Sequence, residues 1–276
     1  MRVGGRLTGI SAVAALGGWV LGRHPLHIAV PTNAARLRSQ WRRDVRRGDA
    51  RNDDSVVHWV APAHDRSSST GIVDLAEAIE LVCRIEPAEQ AIAVLDWARR
   101  SGRLDRLELA ALRERLGPLR WLVDASVDDC DSLPESLART RLRAAGLQVS
   151  TQVSFTEGTE RIDLVVEGAI AVEVDGDEFH RDRFEEDRAR DLAITRAGLH
   201  ALRPSARRVF AHWREVQDAA SRALRERGIL VDLHNSGVAQ LGRPATRRES
   251  APPGLLPRGA PELWRHGRAA GAPQGE

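Results

Sequence analysis

The sequence predicts an α/β protein: a mostly helical domain over residues 1–123, followed by an αβββαβ core within residues 132–227. Three observations carry this. Residues 73–84, 86–100 and 104–116 repeat apolar positions at helical spacing, as Leu75, Ala78, Ile79 and Val82 do. Residues 149–155, 161–166 and 169–175 read as strands, the last two joined through Glu167-Gly168 as a hairpin. A helix (184–197), a strand (199–203) and a closing helix (206–227) complete the order.

Taken in sequence, residues 7–20 form the first expected helix, and residues 27–31 and 56–60 are short strands. Residues 10–21 follow Arg2 and Arg6 as a signal peptide would. They are broken by Gly17-Gly18, lack a small-x-small cleavage site and are too short to span a bilayer, so they read as a buried amphipathic helix. An arginine-dense stretch, residues 36–51, is either a solvated loop or a contact for a phosphate backbone. Asp44 and Asp49 within it favour the solvated loop. Residues 63–69 form a polar loop, and Pro87 stands at a helix start, where proline is tolerated. An acidic linker, residues 124–131, leads to a helix begun by Ser132 and ended by Gly146. Residues 242–276 are rich in Pro, Gly and Arg and read as a disordered tail. Trp59, Trp97, Trp121 and Trp213 are expected in cores.

The 276 residues are 42% hydrophobic and 29% charged with a net charge of +2, so total charge does not mark a nucleic-acid binder. Every basic side chain except histidine is arginine, because the chain contains no lysine. Arginine stays protonated and cannot act as a general base. Two isolated cysteines, Cys83 and Cys130, lack CxxC spacing. A zinc site or disulfide framework is thus disfavoured, and a cytoplasmic location without membrane association is expected.

The hairpin carries the chemistry. Asp163 interrupts the apolar run from Ile162 to Val166, and Glu173 and Asp175 alternate with Val172 and Val174. Buried carboxylates need a compensating cation, and Mg2+ or Mn2+ held by hard oxygens would supply one. Register decides whether they can meet. An odd loop, Val166-Glu167-Gly168, sets Asp163 opposite Ala171 and diagonal to Glu173, with Gly168 left-handed; an even turn would separate the faces. Plainer roles stand beside these. Ser132 and Glu135 form a capping box, Asp175 can organise a turn, and Asp187, Arg188, Arg190 and Asp191 can be a solvated helix face.

Ser132-x-x-Glu135, Gln152, Arg161-Ile162-Asp163-Leu164, Ala171-Val172-Glu173-Val174-Asp175-Gly176, Phe179-His180, Asp187-Arg188-x-Arg190-Asp191 and Arg203 together resemble the PD-(D/E)xK, restriction-endonuclease-like nucleases. The similarity is closest to the Vsr-like family, the domain of unknown function numbered 559, and covers about a third of the chain. The first region resembles the segment preceding this domain in actinobacterial proteins described as antitoxin-like regulators, which would give it a protein partner. The resemblance implies a metal-dependent endonuclease acting on DNA, with Asp163 and Glu173 as metal ligands and Glu135 assisting. The superfamily's lysine position is Asp175 here. His180 is therefore the candidate base, and Arg188, Arg190 and Arg203 are candidate phosphate contacts. The alternative is a non-catalytic regulator that uses a nuclease-type fold to bind nucleic acid or protein.

Overall fold

The computed structural model describes residues 4–42, 44–47, 55–60, 71–154, 161–176 and 184–231. The protein is mixed α/β, with two small sheets. The first sheet holds β1 (Arg6–Leu7), β2 (His27–Pro31) and β3 (Val56–Val60) in that order, with β1 antiparallel and β3 parallel to β2. The expected first helix shortens to α1 (Gly9–Ala15). Its predicted start is drawn into β1, because the Leu7 N–H bonds the Gly71 carbonyl, and its end is stopped by Gly17 at φ 80°.

Four helices follow: α2 (Leu75–Ile85), α3 (Ala88–Arg100), α4 (Arg106–Leu116) and α5 (Trp121–Ala125). Asp74 caps α2, Asp105 makes a full capping box with Glu108 on α4, and Pro87 precedes α3. Their apolar faces close one core around Ile79, Ile92, Leu95, Trp97 and Leu112. The stretch read as an acidic linker is packed instead. The Val127 N–H donates to Asp96 at 2.7 Å, Arg99 reaches the Ser126 carbonyl at 2.5 Å, and Cys130 is buried.

The second sheet orders β4 (Val149–Ser154), β5 (Arg161–Val166), β6 (Ile170–Val172) and β7 (His200–Leu202); the first three are antiparallel and β7 is parallel to β6. Helix α6 (Leu133–Ala144) precedes it, and α7 (Phe184–Arg196) connects β6 to β7. Leu164, Val166, Ile170 and Val172 pack on α6 and the closing helices, while Val165 and Ala171 pack with Ile194 of α7 on the other face. The strands are covered on both faces, so they read as apolar runs in which a carboxylate stands out.

The closing helix divides into α8 (Ala206–Ala211) and α9 (Trp213–Glu226). The break has a visible cause. The Val209 carbonyl, which an unbroken helix would bond to Trp213, accepts the Arg141 guanidinium at 2.5 Å, and that guanidinium lies over the Trp213 ring. Trp97 is buried, and Trp121 and Trp213 are partly buried against the cores. Trp59 departs from expectation. It lies on β3, an edge strand, and is 55% exposed. Residues 63–69 and the tail at 242–276 lie outside the described residues.

The hairpin loop has odd length, and Gly168 is left-handed at φ 64°, as expected. Its position differs by one residue: the loop is Glu167-Gly168-Ala169, pairing Val166 with Ile170 and Val165 with Ala171. Glu167 makes this possible by also taking positive φ (51°), held by reciprocal bonds with Gln148 at 2.9 Å. Each pairing thus moves two residues from the expected register, which preserves the face and brings the acids closer. A Cβ at Gly168 would meet nothing within 4 Å. Gly168→Ala is therefore expected to cost only the left-handed backbone preference, about 1 kcal/mol in urea denaturation; a loss several times larger would show that the space around Gly168 is closed.

Candidate active site at the carboxylate hairpin

Continuing the β5–β6 register by one step sets Asp163 directly across from Glu173. Past β6 the chain still follows the β7 side: the Glu173 N–H bonds the Leu202 carbonyl, the Asp175 N–H bonds the Pro204 carbonyl, and Asp175 bridges to Ser205. Glu135 comes from the first turn of α6. Its Oε1 accepts the Ser132 hydroxyl at 2.8 Å, while its Oε2 accepts the Asp131 N–H at 2.9 Å and the Gln152 amide at 3.4 Å. Half of the expected capping box forms: Ser132 accepts the Glu135 N–H at 3.4 Å, but the Glu135 carboxylate takes the Asp131 N–H and the Ser132 hydroxyl instead of the Ser132 N–H.

Glu135 and Glu173 are both buried at 6% exposure. Asp163 is pushed up to about 7, first by burial and then by the Glu135 and Glu173 carboxylates, with the Val174 N–H at 3.0 Å from Oδ2 opposing the shift. Burial also raises Glu135 and, against the pull of Arg203, Asp175.

Two arginines answer these charges. Arg190 of α7 grips Glu173 with both arms, Nε to Oε2 at 2.6 Å and Nη2 to Oε1 at 2.7 Å, and also bonds the Arg161 carbonyl. Arg203, just beyond β7, donates to Asp191 at 2.6 Å and to Asp187 at 3.2 Å. It also lies 3.3 Å from Glu173 and 3.6 Å from Asp175. The helix-face acids Asp187 and Asp191 are thus tied into the site through Arg203 rather than to their own helix. Both Arg190 and Arg203, expected on phosphate, are engaged by carboxylates. Arg188 is exposed on α7, and His180 lies outside the described residues.

Sequence reasoning carried Gln152 only as a motif match. It stands opposite Asp163 in the β4–β5 register, yet its φ of 48° removes that rung from the ladder. A non-glycine residue in this conformation is strained, and here the strain turns the amide toward Glu135. No pattern of apolar spacing reports such a residue.

Among the described residues, no group of three or more acidic, histidine or cysteine side chains closes around a single point suited to a metal. The donor chemistry nonetheless fits a hard divalent cation. Asp163 sits among two further buried carboxylates, and among the described residues its second oxygen accepts no hydrogen bond. Arg190 supplies positive charge to Glu173, and Asp163 keeps its raised proton affinity beside it. No helix among the described residues is long and apolar enough to cross a membrane. No family model, curated protein or solved structure matches the chain.

Proposed function

We propose that the chain is a metal-dependent phosphodiesterase acting on DNA, built on a restriction-endonuclease-like αβββαβ core of the Vsr-like type. The observation that carries this reading is the pairing of Asp163 with Glu173 across a buried hairpin, with Glu135 close enough to raise the Asp163 carboxyl. Mixed α/β order, with three antiparallel strands and a parallel fourth reached through α7, supports it. Fold alone would not.

In this reading Asp163, Glu173 and Glu135 hold Mg2+ or Mn2+, which when bound polarises the phosphate and acidifies water. Glu135 is oriented by Ser132 and Gln152, and Arg190 holds Glu173 against the sheet. His180 would be the base that takes the proton from the attacking water. Arg188 stands on the exposed side of α7 for a phosphate oxygen.

One observation favours a second reading, a non-catalytic nucleic-acid-binding or antitoxin-like regulator: Arg190 already neutralises Glu173 with a bidentate pair. Plasmid nicking separates the two. Purified protein with supercoiled plasmid and Mn2+ or Mg2+ is expected to nick, and Glu173→Ala is expected to reduce nicking by at least about a hundredfold. Equal nicking by both proteins, or none by either with any metal, would remove the catalytic reading.

A further inference from the structure

Between residues 36 and 47 the sequence carries six arginines and one aspartate, a surplus of five in a chain whose total is only +2. The fold gives its described part, residues 36–42 and 44–47, a shape. The Ser39 N–H bonds the Val45 carbonyl, the Arg47 N–H bonds the Leu37 carbonyl, and Arg38 pairs with Arg46 across an antiparallel bridge. The result is a short hairpin with Trp41 near its tip. Its inner side is anchored, since Ser39 is fully buried and Leu37 packs against Ile28 and Val30. Its base is tied to the start of β3, where Arg47 donates to the Ser55 carbonyl at 2.6 Å and to its hydroxyl at 3.2 Å.

Two features set it apart from a solvated loop. Like charges at directly opposed positions on neighbouring strands are destabilising, and the Arg38–Arg46 bridge sets two arginines at such positions along the backbone. Asp44, the one aspartate of the stretch, is paired with Arg42 at 2.7 Å and also feels the charge of Arg38, one acid set against several arginines on the exposed surface. Two tryptophans then face water beside this charge. Trp41 is 65% exposed, and Trp59 is 55% exposed on the edge strand, two residues beyond Val57, which like Leu37 packs against Ile28 and Val30. Alternation along a strand puts Trp59 on the face of Val57, the face the hairpin covers.

We propose that this arginine hairpin, with Trp41 and Trp59, is a binding surface for single-stranded nucleic acid. Guanidinium groups on the outer side neutralise the phosphodiester chain, and the indoles stack on unpaired bases. Bases in a duplex are already stacked on one another and offer their faces to neither tryptophan, so the surface selects strands without partners. The assignment stands apart from the reading of the carboxylate site, because binding here requires neither metal nor cleavage.

The test is fluorescence anisotropy of the full chain in EDTA, with labelled DNA, RNA and duplex oligomers of about 20 nucleotides. Wild type is expected to bind either single strand more tightly than duplex, and the order of DNA and RNA identifies the natural strand. Arg38→Ser/Arg46→Ser is expected to weaken binding about tenfold and to flatten the dependence of log Kd on log salt by about 1.4. Arg38→Lys/Arg46→Lys should restore most of the affinity. Trp41→Ala and Trp59→Ala should each weaken binding about fivefold with an unchanged salt slope, which separates stacking from charge. Removing the opposed arginines should leave the melting temperature equal or higher, and Glu173→Ala should bind like wild type. Tighter binding to duplex, arginine and tryptophan variants that bind like wild type, or loss of binding in Glu173→Ala would each overturn the assignment.

Discussion

Asp163→Asn is expected to make the protein more stable and, in the proposed function, inactive. The asparagine keeps the shape of the side chain and an oxygen for the Val174 N–H, and removes the charge that burial, Glu135 and Glu173 disfavour. The sign follows from linkage. A carboxyl whose folded value is raised from 3.8 to about 7 holds its proton in the fold after the unfolded chain has released it. Its contribution to stability is full below about pH 4 and is lost as pH rises toward about 7. The advantage of Asp163→Asn over wild type should therefore grow across that window and level off above it, reaching on the order of 2 kcal/mol after allowance for solvent screening. Urea denaturation at several pH values measures this; an advantage that is flat or shrinks with pH would show that Asp163 ionises without penalty. Mn2+ should raise the melting temperature of wild type and leave that of Asp163→Asn nearly unchanged, because a ligand that binds only the folded state stabilises it.

Asp96→Ala is expected to cost about 3–5 kcal/mol, enough to unfold a domain of ordinary stability. Asp96 on α3 is fully buried and accepts the Arg139 guanidinium at 2.8 Å, the Ser136 hydroxyl at 2.5 Å and the Val127 N–H at 2.7 Å. Burial raises its proton affinity despite Arg139, so the pair is held together by geometry more than by net electrostatic gain. Alanine leaves the Arg139 cation buried with only its bonds to the Ala125 carbonyl at 2.8 Å and the Thr140 hydroxyl at 3.5 Å, and its Nε already has no acceptor among the described residues. Replacing both partners, as Asp96→Leu/Arg139→Met, should cost far less than Asp96→Ala alone. A double-mutant cycle by chemical denaturation decides this; a double variant as damaged as Asp96→Ala would mean that the bonds to Ser136 and Val127, not the ion pair, set the cost. Because Arg139 belongs to α6, whose first turn supplies Glu135, the lesion is also expected to loosen the carboxylate site.

The strands at 27–31, 56–60 and 161–166 were legible residue by residue, because alternation and β-branched content are properties of a few neighbours in sequence. Helix ends at Ser132, Pro87 and Gly198 were legible for the same reason: caps and left-handed glycines act within one turn. Asp163, Glu173 and Asp175 could be chosen because carboxylates in apolar strands stand out locally. Tertiary structure alone decided the rest. The hairpin slid by two residues because Glu167, not only Gly168, took positive φ, a choice stabilised by Gln148 just before β4. Arg190 and Arg203 turned to carboxylates because α7 and β7 bring them there across the sheet. Trp59 was left to solvent because β3 became an edge, and Asp96 found Arg139 because α3 packs on α6. Periodicity specifies which face of an element is apolar; it carries no information about which distant charge will stand opposite, and that pairing is what gives these acids their chemistry.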